Sequence, residues 1–269
     1  MTPGFGMRHV QLTLLTLLLS AQAWSRPLQE VMNQGTLRIG VALAAPWALR
    51  DADGDLAGFE IEVARQLASD LEVKPDIRVY PWERLILALE AGEIDLIAAG
   101  LTITPERAIH VNFSQPYASG GISLATNLAR TNDVQRFEDL NDPSFTIAAV
   151  DGSVAAELAL RILPRAELQL FASAEAAGTA LANGDVDGLL EDEPVPTFLS
   201  LEHPATIDLP VARPLLQTQA GFAVSKGDPD FLAFLNAWIV ARTADTWLPT
   251  THAYWFESLS WRNHVSPSR

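Results

Sequence analysis

The stretch Leu89-Glu90-Ala91-Gly92-Glu93-Ile94-Asp95-Leu96-Ile97 recurs as Leu181-Ala182-Asn183-Gly184-Asp185-Val186-Asp187-Gly188-Leu189. In each copy a helix end meets a glycine and then a short apolar strand carrying an aspartate. Working outward, residues 37–42 form a strand of the buried type, Asp51-Ala52-Asp53-Gly54 a turn, and 58–71 a helix with mixed apolar spacing. A second helix over 82–91 is stopped by Gly92, and a strand over 94–99 follows. Residues 145–150 echo the opening strand, so the chain reads as two α/β lobes on one plan, each a mostly parallel sheet flanked by helices. A solenoid would need more copies at a shorter period.

Chemistry concentrates directly after the first copy, in Ala99-Gly100-Leu101-Thr102-Ile103-Thr104-Pro105-Glu106-Arg107. Thr104 is placed to cap a helix whose first residue is Pro105, so free backbone amides and the Arg107 guanidinium would share one strand end. That combination suits a carboxylate, which arginine holds through two parallel hydrogen bonds. A surface arginine that merely covers the loop fits the same residues. In the second lobe, Asp151-Gly152-Ser153 stands before a helix and Glu191-Asp192-Glu193 after a strand. Gly152-Ser153 offers amides and a hydroxyl to the same anion; Asp192 is the counter-ion an ammonium group requires. Three acids in a row also suit a solvated loop.

Composition narrows the classes further. The 269 residues carry a formal charge of −15 and no cysteine. A chain this acidic cannot draw binding energy from phosphate neutralisation, which argues against nucleic acid as a partner. Without cysteine there are no disulfides, thiolate metal sites or cysteine nucleophiles. The histidines 110, 203, 252 and 264 lack metal-ligand spacing, and neither a Gly-x-Ser-x-Gly elbow nor a phosphate loop is present. No metal and no cofactor is therefore expected. At the N-terminus, Arg8-His9 precedes an apolar run over 10–19 that ends in Ala21-Gln22-Ala23. This is a secretory signal peptide pattern over 1–23, too short for a membrane span. Cleavage near Ala23 would leave 17 basic and 33 acidic residues, a charge of −16. With no lipid-acceptor cysteine, a protein free in the periplasm is expected.

Further landmarks follow in a fixed order: Pro46-Trp47, the Asp-Gly turn, Gly58-Phe59-Glu60, the Gly-x-Ile-Asp strand, Thr104-Pro105-Glu106-Arg107 and Phe113-Ser114-Gln115-Pro116-Tyr117. Gly152-Ser153, residues 184–192 and Gly221-Phe222-Ala223-Val224-Ser225-Lys226-Gly227-Asp228 complete the set. In this order they resemble the extracellular solute-binding proteins, family 3, that serve polar amino acid ABC transporters; the resemblance covers about 37–256. It implies a type II clamshell with residues 36–124 plus 222–269 in lobe one, 125–221 in lobe two, and hinges near 123–127 and 220–224. It further implies a ligand-bound cleft in which Arg107 and Thr102 hold an α-carboxylate, Ser153 assists, and Asp192 holds the α-ammonium. Trp47 and Trp82 match aromatic positions against the ligand side chain. A monomer delivering an amino acid or similar small carboxylate to an ABC transporter permease is the function expected.

Departures from the family pattern bear on specificity. Ala44 replaces a common tyrosine, Val154 a common threonine, Ala99 and Gly100 stand where some relatives have serines, and Val41 where binders of basic amino acids often carry an acid. The cleft therefore reads as less polar than theirs. The C-terminal aromatics, Tyr254-Trp255-Phe256 through Trp261, read as a helix docked on lobe one. One enzyme group resembles the same fold, the periplasmic cyclohexadienyl dehydratases, which convert prephenate or arogenate and need a cleft acid as proton donor. That acid aligns with Val195 here, so the donor is missing unless Glu191 or Glu193 turns inward. A sensing or accessory module uncoupled from transport is a third possibility that the sequence leaves open.

Overall fold

A computed structural model describes residues 26–257, 260–263 and 265. The expected signal peptide, 1–23, lies outside the described residues. Two sheets organise the chain. The first, of five strands, runs in the order Lys74–Val79, Thr36–Val41, Leu96–Ile97, Ala223–Val224, Asn112–Phe113. Its first three strands are parallel, and Ala223–Val224 is antiparallel to both neighbours. The second runs Ile207–Asp208, Ala118–Asn127, Gly188–Asp192, Thr146–Val150, Glu167–Phe171, with Leu216–Ala220 also paired to Ala118–Asn127. Here Thr146–Val150 is parallel to both neighbours, while Ala118–Asn127 is antiparallel to all of its partners.

The echoed segments do equivalent work in the two sheets. Asp95 accepts the Arg38 N–H at 2.9 Å and pairs with the Arg38 and Arg26 guanidinium groups. Asp187 accepts the Thr146 N–H at 2.7 Å and pairs with Arg130 at 2.8 Å. Each aspartate thus satisfies a backbone amide of the neighbouring strand, at Arg38 and at Thr146, and arginine compensates its buried charge.

Packing follows from strand alternation. Leu189 faces Ala177 and Leu181 of the helix Ala174–Asn183, whereas Leu190 faces Leu158 of the helix Val154–Ile162. Around the first sheet, Leu85, Leu89, Ile94 and Ile97 fill one face and Phe59, Leu67, Leu96 and Phe222 the other. The helices Pro229–Ala244 and Trp247–Phe256 close that second face with buried Trp238, Leu248 and Trp255, as the C-terminal aromatics suggested. The helix expected over 82–91 begins as a 3-10 turn, Trp82–Arg84, and continues as Leu85–Glu90.

The expected first hinge needs correction. Residues 123–127 are the buried second half of Ala118–Asn127, locked between Gly188–Asp192 and Ile207–Asp208. Residues 118–124, expected in lobe one, are part of the second sheet. The chain passes between the sheets at 114–117, where Pro116 supplies no ladder donor. It returns between Ala220 and Ala223.

Candidate functional site

Trp47 enters the cleft by lying on a glycine. Gly100 has φ +63, and a Cβ there would stand 2.9 Å from the Trp47 ring. Phe59 and Phe256 hold the other edges of the indole at 5.8 and 4.5 Å between ring centroids. Beneath Gly100 lies a network that sequence reading did not identify. The Gly100 N–H donates to Glu60 Oε1 at 2.6 Å, and the Tyr117 hydroxyl donates to the same oxygen. Glu60 is fully buried, its Oε2 has no partner, and burial pushes its carboxyl up to about 7. An acid inside the apolar run Phe59-Glu60-Ile61 was the available signal.

From the first lobe, Thr104 caps the helix Pro105–His110 by accepting the Arg107 N–H at 3.2 Å. The Arg107 guanidinium donates to the Thr102 carbonyl at 3.0 Å and, across the cleft, to the Gly152 carbonyl at 3.0 Å. It stands 5.5 Å from the Trp82 ring centroid. Trp82 Nε1 also donates to Gly152 O, at 3.4 Å. One carbonyl of the second lobe therefore receives two donors from the first.

From the second lobe, Ser153 caps the helix Val154–Ile162, its Oγ accepting the Ala156 N–H at 3.1 Å. Asp192 receives the Thr218 hydroxyl at 3.4 Å. Burial pushes Asp192 up, against the opposing charge of Arg107. Glu191 is pushed up by burial and then by its neighbour Asp192. Burial draws Arg107 down, opposed by Glu157, Asp192 and Glu106.

Between the lobes lies a cavity of about 320 Å³. Of the expected residues, Trp47, Trp82, Gly100, Ser153 and Asp192 border it. Thr102 and Val154 instead border an adjoining polar groove with Glu106, Glu157 and Arg161. Arg107 borders neither; its guanidinium is bonded to the Thr102 and Gly152 carbonyls and set against Trp82. Thr102 contributes its carbonyl to Arg107 rather than a hydroxyl to the cavity. Ala44, Val79, Pro81 and Val195 complete an apolar wall, and of these only Ala44 was singled out for its effect on cleft polarity. Val79 and Pro81 carry no polar signal that a sequence pattern could register.

Comparison with known proteins matches this arrangement. The chain is 25% identical over 230 residues to the L-cystine-binding protein TcyJ of Escherichia coli strain K12, covering 85% of each chain. It is 23% identical to a cyclohexadienyl dehydratase of Pseudomonas aeruginosa, over 93% of this chain and 95% of that one. A putative ABC transporter binding component from Wolinella succinogenes, solved with lysine, superposes with a TM-score of 0.80 at 28% identity, covering 86% and 99%. The family model for bacterial extracellular solute-binding proteins, family 3, matches residues 37–258, and with its two-lobed α/β fold the chain belongs to that family.

Proposed function

We propose that the protein is exported to the periplasm, captures an amino acid or similar small carboxylate between its lobes as a monomer, and delivers it to an ABC transporter permease. The observation that carries this reading is that Arg107 of the first lobe donates to the Gly152 carbonyl of the second at 3.0 Å, next to Trp82, which borders one cavity together with Ser153 and Asp192. Two of the five Arg107 N–H donors are taken by carbonyls, which leaves three for a bidentate carboxylate. An α-ammonium group then meets Asp192, which Thr218 orients. A ligand bonded to both lobes stabilises the closed arrangement by differential affinity, with no covalent step.

The non-catalytic reading is supported at Val195, which places an isopropyl group rather than a carboxylic acid against the cavity. Glu193 does not substitute for it, since its Oε2 accepts the Thr197 hydroxyl at 2.8 Å; Glu191 does border the cavity, but its Oε1 accepts the Asp192 N–H at 3.2 Å and its Oε2 is enclosed. Calorimetry of the mature protein against the twenty amino acids and common organic acids tests the proposal. At least one amino acid should bind, and Arg107→Ala should weaken that binding by about 2–5 kcal/mol. Silence from every compound, or an unchanged affinity in the variant, would remove the assigned role. Release of phenylpyruvate from prephenate at enzyme-like rates would overturn the non-catalytic reading.

A further inference from the structure

We infer that the ligand is an amino acid with an uncharged, apolar side chain, and that the cleft selects against cationic and acidic ones; this rests on the amino-acid reading above. The apolar lining of the cavity includes Leu43, Val79, Pro81 and Val195 with the two indoles of Trp47 and Trp82. Leu43 and Val79 are 39% and 37% exposed. Large apolar side chains left in contact with water around a cavity mark a surface that an apolar partner covers.

Most of the polar side chains bordering the cavity are already engaged within the protein. Tyr80 donates its hydroxyl to Glu93 at 3.0 Å, and Trp82 Nε1 donates to Gly152 O. Ser153 and Ser173 each accept a helix N–H, from Ala156 at 3.1 Å and Ala176 at 3.2 Å. What remains to each is an O–H donor, which suits a carboxylate, and one neutral lone pair, which supplies no counter-charge to a cation. Glu191 is 7% exposed; its Oε1 accepts the Asp192 N–H at 3.2 Å and its Oε2 is enclosed. With Glu191 Oε2 enclosed, Asp192 is the carboxylate open to a ligand among the described residues at this cavity, and the α-ammonium takes it. A lysine or arginine side chain would enter without a counter-ion, and a glutamate side chain would lose its water against apolar walls. An apolar side chain loses only its hydrophobic hydration, which favours binding.

Calorimetry on the ligand-free mature protein with leucine, phenylalanine, tryptophan, lysine, arginine and glutamate decides the matter. At least one of the three apolar amino acids should bind about 100-fold or more tightly than any charged one. Charged amino acids binding as well as the apolar ones would overturn the side-chain assignment and leave the amino-acid reading standing. No binding by any amino acid would remove both. Val79 ends the strand Lys74–Val79 at the exposed rim, so Val79→Asp alters the wall without disturbing the core. It should narrow the gap between lysine and the best apolar ligand by roughly tenfold or more. An unchanged gap would show that the side chain lies elsewhere and overturn the inference.

Discussion

Glu60 makes the folded protein lose stability as the pH rises, and Glu60→Gln isolates the effect. Its carboxyl titrates near 4.5 in the unfolded chain and at about 7 in the native state, because burial disfavours the charged form more than Tyr117 and Gly100 favour it. A group raised on folding contributes stability that is fully present below its unfolded value and is lost as the pH passes its folded value. At about 1.36 kcal/mol for each pH unit, the loss approaches ~3 kcal/mol between pH 4.5 and 7. Glutamine keeps an oxygen for the Gly100 N–H and the Tyr117 hydroxyl and cannot ionise. Glu191 and Asp192 remain in both proteins, so their contributions cancel in the difference. Urea denaturation from pH 4 to 8 should show the wild-type protein losing about 3 kcal/mol relative to the variant. Parallel stability profiles would refute the assignment of a buried, proton-bound Glu60.

In its proposed role, Asp192 would make ligand binding proton-linked. Burial raises its carboxyl, beside Glu191, Glu193, Arg107 and Thr218, and it must ionise to hold an ammonium. Affinity for an amino acid should therefore fall as the pH drops below neutral, with a proton released on binding. Calorimetry in two buffers of different ionisation heat measures that release, and identical heats would exclude it. At the C-terminus, Trp261 packs 6.0 Å from Phe198 and 5.5 Å from Trp255, joining the helix Val195–Glu202 to Trp247–Phe256. Trp261→Ala should cost about 3 kcal/mol or more in chemical denaturation. Trp261→Phe should cost well under half of that, because the buried Nε1 has no partner to lose; equal losses would show that the ring's packing is not the source.

What the sequence made legible depends on whether the cooperating residues are neighbours in the chain. Thr104, Pro105 and Arg107 act within one helical turn, so their cap and guanidinium could be read directly. Asp95 and Asp187 could be paired because each follows the same glycine-strand phrase, and both then serve the same amide. Gly100 was marked by position, yet its reason, the Trp47 ring lying on its backbone, depends on a residue 53 positions earlier. The hinge was misplaced because 118–127 is one continuous strand whose partners arrive from 188–192, 207–208 and 216–220. Nothing local to 123–127 reveals that its hydrogen bonds are already taken. The Gly152 carbonyl carries the same lesson into function. As a backbone atom it has no sequence signature, yet it receives both Arg107 and Trp82 from the opposite lobe. On the proposed reading, a ligand carboxylate held by Arg107 would compete with, or add to, a contact that already joins the lobes. Affinity is set by the surplus over that contact, so it cannot be read from Arg107 alone.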